Sequence, residues 1–314
     1  MPYPTPITHE LNLLFERPKP AQSSPAFTIC ASPASSTSTL ALDEDDAQQK
    51  LEPDFNPRAE PFVPKFFSSV PPRQVAVTKP PPRRSPVWLD AFTKGTQAAS
   101  TALQKEYATL LITTQSNWPI ETMAELAQNF CWRGGEGSTE EVANFAFMVY
   151  RQFFHTFGEQ ISQSFVWHLR ECVVGAFLVT WDPDSPTSIT YRNAPSFNYV
   201  ASAISQAAFM GQLFKLDLVP GPHTATCVIT VIKGLNSYEH IEALQAILKN
   251  AGPAFWHGTT PGQGNNALHK FVATFLEAVA PLRANMSVLG RSLKATEMRD
   301  IIVQVEQLCS DWVV

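Results

Sequence analysis

The chain predicts an all-α fold, a helical-repeat body preceded by a proline-rich N-terminal region, and three observations predict it. From about Trp88 onward, apolar residues return at three- and four-residue intervals rather than alternating, and no strand pattern competes. Helix punctuation recurs along the same stretch, at Asn117-Trp118-Pro119, at Ser138 with Glu141, and at Asp182-Pro183. Composition then divides the 314 residues: residues 1–86 hold 17 of the 26 prolines and no glycine, whereas all seven tryptophans lie from Trp88 on. Residues 1–86, with a serine/threonine cluster at Ser35–Thr39 and an acidic run at Asp43–Asp46, bury too little apolar surface to offset chain entropy and are read as a disordered leader. Residues 87–314 are read as the helical-repeat domain.

The elements follow in order. Leu103, Tyr107, Leu110 and Leu111 form one face of a helix that stops before Asn117-Trp118-Pro119, and a second helix runs from Ile120 to Phe130. Trp132–Gly137 reads as a glycine-rich loop. Ser138 and Glu141 stand at capping-box spacing and start a helix through Val142, Phe145, Val149 and Phe153. The segment Gln160–Thr180 is apolar on most faces and belongs deep between neighbours. Asp182–Pro195 is a loop, with Ser185-Pro186 read as a turn. Helices near 197–217, 222–234, 238–250, 265–280, 282–291 and 294–311 complete the chain, and paired antiparallel helices in that number imply an α-solenoid or a compact bundle.

Charge and composition limit function. Residues 94–314 hold 14 Lys and Arg against 18 Asp and Glu, with no basic block, so strong autonomous binding to a phosphate backbone is disfavoured. The five cysteines (30, 131, 172, 227 and 309) are scattered without a Cys-x-x-Cys pair, as expected of small core residues in a reducing compartment. The start of the chain lacks the pattern of a signal peptide, and no apolar run reaches the roughly 18 residues needed to span a bilayer, which points to the cytoplasm. No phosphate-binding Gly-x-x-x-x-Gly-Lys-Ser/Thr loop or nucleophile elbow occurs, and the seven histidines have no metal-ligand spacing. The expectation is a protein that is not an enzyme and has no cofactor, metal or catalytic residue.

The informative motif is Phe55-Asn56-Pro57-Arg58-Ala59-Glu60-Pro61-Phe62-Val63-Pro64 in the leader. The run resembles PABP-interacting motif 2, written in that family as Leu-Asn-Pro-x-Ala-x-x-Phe-x-Pro, with Phe55 in place of the leucine. That likeness implies that two bulky anchors, Phe55 and Phe62, enter separate pockets on a partner, while Asn56, Pro57 and Ala59 shape the turn between them and Val63 and Pro64 follow the second anchor. The resemblance implies docking on the MLLE domain of cytoplasmic poly(A)-binding protein, with an affinity of about a micromolar for a segment that orders on binding. A second leader run, Glu10–Phe15, is a candidate short amphipathic helix for a partner.

Two stretches of the body carry a second resemblance. Ala208-Phe209-Met210-Gly211-Gln212-Leu213-Phe214-Lys215-Leu216 resembles the Phe-x-Gly-Glu-Leu-Phe signature in the middle domain of eukaryotic translation initiation factor 4G, with Gln212 replacing the acidic residue. Glu239–Leu248 followed by Ala251-Gly252 resembles a later helix of that family, and Met298–Trp312 is similar to its closing helix, with Cys309 replacing an arginine. The resemblance implies a HEAT-like α-α solenoid and a contact with the initiation factor 4A helicase or another initiation factor, with messenger RNA bound weakly or indirectly. Within these stretches Phe209, Leu213, Phe214, Leu244, Leu248 and Trp312 read as core, and Gly211 as a site of close helix packing. The layout implied is a poly(A)-binding-protein-interacting scaffold that regulates translation. The rival expectation is a helical-repeat adapter that binds RNA or a decay or export factor and represses.

Overall fold

Trp88 is fully buried and meets Phe92 edge-on with 5.9 Å between ring centroids, so the first tryptophan is part of the core. The computed structural model describes residues 85–256 and 263–312. Among the described residues there are ten α-helices and no strand. They are α1 (Leu89–Gln97), α2 (Thr101–Thr113), α3 (Ile120–Gly134), α4 (Thr139–Phe157), α5 (Glu159–Trp181), α6 (Phe197–Lys215), α7 (Gly221–Lys233), α8 (Tyr238–Ala251), α9 (Gln263–Val279) and α10 (Ala295–Ser310), with a short 3₁₀ turn at Pro253–Phe255. None is long and apolar enough to cross a membrane.

Most helices pack on the next helix in the chain and on the next but one. One layer therefore runs α2, α4, α6, α8, α10, and the other runs α3, α5, α7, α9. Periodicity explains the burial. α5, for example, buries Phe165, Leu169, Val173, Phe177 and Trp181, a spacing of four that keeps one stripe on its neighbours. Aromatic rings fill the space between layers. Phe130 sits 4.9 Å from Phe92 and 5.8 Å from Phe165, and Trp118 meets Phe153 at 5.0 Å. Toward the C-terminus a second chain of rings joins Phe214, Phe255, Trp256 and Phe271. Ser100 and Ser196 cap α2 and α6, each accepting a backbone N–H at 3.3 Å.

The structure departs from the expectations above in five places. α2 buries Gln104, Ala108, Leu111 and Ile112, leaving Leu103 and Leu110 at the surface, because the covered face is the one turned to Ala98 and Glu141, whose carbonyls Gln104 binds. α3 continues through Trp132 to Gly134, whose Cα lies so close to the Phe209 ring that a side chain would not fit, so the first glycine serves packing rather than a turn. Ser138 makes no side-chain cap, and α4 starts on the backbone bond from Val142 N–H to the Ser138 carbonyl alone. α5 is less enclosed than its composition suggests, with Trp167 and Val179 half-exposed. Residues 282–291 form turns instead of a helix, because the Met286 carbonyl and the Val288 N–H bind the start of α8 rather than each other's neighbours.

Candidate functional site

The seven expected docking residues, Phe55, Asn56, Pro57, Ala59, Phe62, Val63 and Pro64, lie outside the described residues, as does the candidate helix at Glu10–Phe15. Within the body, one surface groove belongs to α6 and α8, which carry the two stretches singled out above. Their axes approach closely because residue 211 is glycine: a Cβ there would stand 2.5 Å from the Ile247 carbonyl oxygen and 2.9 Å from the Ala251 nitrogen. Gln212 donates to Asn250 Oδ1 at 2.8 Å beside this contact. Phe209, Leu213, Leu244 and Leu248 are fully buried, and Phe214 and Trp312 nearly so, as expected of core.

On the outer side of the pair runs a shallow groove. Its first part, about 240 Å³, is lined by Phe197, Val200, Ala201, Ile204, Glu242, Leu289 and Arg291. Its second part, about 350 Å³, shares Ile204 and Glu242 and continues past Gln245, Ala246, Lys249 and Asn250. Phe197 is 63% exposed at one end and Lys249 is exposed toward the other. An apolar floor with a polar, charged rim is the make-up of a protein-docking surface rather than of an enclosed small-molecule site.

Under this groove the first turn of α8 holds a polar cluster. Glu239 is fully buried and its carboxylate accepts from Ser287 Oγ at 2.5 Å and from the Val288 N–H at 3.1 Å. The Ser287 hydroxyl in turn accepts the N–H groups of Leu289 and Arg291. Arg291 lies 3.5 Å from both Glu239 and Glu242 and sets its guanidinium 4.8 Å from the centroid of the Tyr238 ring. Burial alone would raise the Glu239 pKa, but the hydrogen bonds from Ser287, Ser237 and the backbone outweigh it and hold the carboxyl below its usual range. Burial pushes Glu242 upward, with Arg291 drawing it partly back. His240 is buried against Trp181, with Ser237 Oγ at 2.9 Å from Nδ1, and burial pushes it down to about 4. The cluster pins the 282–291 turns to α8 and thereby sets Leu289 and Arg291 at the groove wall. Among the described residues no group of three His, Cys, Asp or Glu side chains is arranged as metal ligands.

Sequence reasoning identified α6 and α8 but not the groove. Phe197 and Ile204 have the same helical spacing as the core residues beside them, and Leu289 and Arg291 come from turns expected to be a helix. The one available signal was Ser196 followed by Phe197, since an aromatic immediately after an N-cap sits at a helix end where it is hard to cover. No protein-family model, curated protein or solved structure matches the chain.

Proposed function

We propose that this chain is a non-enzymatic adapter in the regulation of messenger RNA translation, with residues 55–64 docking on the MLLE domain of poly(A)-binding protein and the body contacting the initiation machinery. We read the two-layer order of α2 to α10, each on its next-but-one neighbour, as a HEAT-like α-α solenoid. One observation carries the reading of the body: the two stretches that resemble the initiation factor 4G middle domain, 208–216 and 239–252, pack on one another as α6 and α8, with Gly211 at their closest approach. A resemblance split over two distant segments gains weight when they form one structural unit.

The mechanism is tethering. A leader bound to poly(A)-associated protein holds the body near the initiation complex, and two modest contacts on one chain exceed either alone by about 10²–10⁴ when the linker permits both. Proline-rich chain at up to ~3.1 Å per residue gives the segment after Pro64 a reach of tens of ångströms. The groove between α6 and α8 is the surface offered to the initiation factor 4A helicase, through Ile204 on its floor and Lys249 and Arg291 on its rim. Binding of purified helicase to the full chain tests this arm. The expected result is binding that Ile204→Glu weakens by about tenfold or more. Absence of binding, or salt-sensitive binding of RNA by the body in its place, would overturn it.

A further inference from the structure

A glycine inside a helix destabilises it relative to alanine, so its position calls for a reason. In α1, α3 and α6 the reason is visible. A Cβ on Gly95 would run into the Phe145 ring, one on Gly134 into the Phe209 ring, and one on Gly211 into the backbone of α8. Gly175, inside the 23-residue α5, differs: among the described residues nothing outside its own stretch of helix comes within 4 Å of where a Cβ would stand. Gly175 lies on a ridge with Trp167, Glu171 and Val179, four residues apart. The ridge is two places on from the buried Phe165, Leu169, Val173 and Phe177, about 200° round the helix, so it points away from the body. Trp167 and Val179 are half-exposed along it. Cys172 and Leu178, three residues to either side of Gly175, are half-buried and floor the gap with apolar atoms. On α3, Cys131 Sγ stands 3.7 Å from the Cys172 carbonyl oxygen, and the adjoining Trp132 is 61% exposed. Uncovered indoles beside an unfilled notch are the make-up of a contact surface rather than of a solvated helix face.

We infer that this ridge seats an amphipathic helix of a partner protein, one whose apolar stripe crosses α5 at Gly175 and whose flank is basic. Ridges of residues four apart interdigitate with those of a second helix, and the missing side chain at 175 is where the partner's ridge passes. Size and charge select this occupant. From Trp167 to Val179 the ridge is about 18 Å long, a length that three or so turns of helix cover. The two indoles and the valine leave roughly 400 Å² of surface open, about half of the ~800 Å² per partner at which a second folded copy would hold. The sign of the charge follows from Glu171, which stands on the ridge between Trp167 and Gly175. Its carboxylate is half-exposed and lies 3.2 Å from Arg170 of its own helix. A cation on the partner complements it, and the balance of 14 basic against 18 acidic residues over 94–314 favours the same sign. α5 belongs to the other layer from α6 and α8, so the inference is independent of their groove and of the function proposed above.

Phage-displayed amphipathic helices with a randomised apolar stripe and either Lys/Arg or Glu flanks, selected on the full chain, test it. The expected binders carry basic flanks and lose at least about tenfold in affinity for Gly175→Gln, Trp167→Ser and Glu171→Lys, while Ile204→Glu leaves them unchanged. Gly175→Gln itself raises Tm by about 1–3 °C, since a better helix former enters an exposed position. Weaker binding by a more stable chain separates docking from damage to the fold. No binder, acidic binders, or binders that hold Gly175→Gln as tightly as the wild type would each overturn the inference. A lower Tm in Gly175→Gln would overturn it too, by showing that the fold itself needs the glycine. Binders lost with Ile204→Glu instead would overturn it in favour of the groove between α6 and α8, and a dimer in sedimentation that Gly175→Gln abolishes would do so in favour of a second copy.

Discussion

At the scale of single residues, the close approach of α6 and α8 at Gly211 and the buried His240 make separate predictions. Gly211→Ala forces a methyl group to within 2.5 Å of the Ile247 carbonyl oxygen. α6 and α8 must separate to admit it, so the variant loses about 1–3 kcal/mol of stability, measured as a fall in Tm of roughly 3–10 °C. His240 is held at about 4, below its ordinary value of 6.5. A depressed folded-state pKa means that the unfolded chain takes up the proton first, so stability is lost as pH falls from about 6.5 towards 4, by about 3 kcal/mol in all. Urea unfolding across that range checks it, and His240→Gln removes this part of the slope. An unchanged slope in the variant contradicts the burial argument. Glu239, also depressed, adds its own loss as pH falls from the ordinary carboxylate range downward.

At the scale of elements, the N-terminal turn of α8 decides where residues 282–291 go. Their polar backbone groups are taken by Glu239 and by the Tyr238 N–H. Glu239→Ala leaves the Val288 N–H and the Ser287 hydroxyl without their acceptor and Arg291 with only Glu242, at a cost of about 2–4 kcal/mol. Exchange of the amides at 286–291 accelerates in that variant while α1 to α3 are unaffected. Equal protection at Val288 in both proteins would show that packing of Leu282 and Val288, not the carboxylate, holds the turns. This is also where the sequence stopped being legible. Periodicity located the helices from Ile120 to Ala251 and the core of α6 and α8, because a buried stripe leaves a repeat of three to four. It read 282–291 as helix because its apolar spacing says nothing about a carboxylate more than forty residues earlier that captures its N–H groups. Of the face expected on α2, Leu111 is buried and Tyr107 half-buried but Leu103 and Leu110 are exposed, for a related reason: Leu103 and Leu110 recur as regularly as Gln104, Ala108 and Leu111, and only the neighbours determine which are covered. The groove was hidden by the same ambiguity, since Phe197 and Ile204 look like core until the surrounding helices are in place.

At the scale of the whole molecule, the account joins a body with a mildly acidic balance to a leader whose one specific motif resembles a poly(A)-binding-protein ligand. A body with 14 basic against 18 acidic residues over 94–314 lacks the clustered charge for strong contact with RNA of its own, so the proposed function routes any association with transcripts through the leader. The most direct measurement is calorimetric titration of the full chain into a purified MLLE domain, beside the same chain carrying Phe62→Ala. The account predicts one-to-one binding at about micromolar affinity, reduced at least about a hundredfold, to below detection, by the loss of that one ring. No binding by the wild type, or equal binding by the variant, would contradict it.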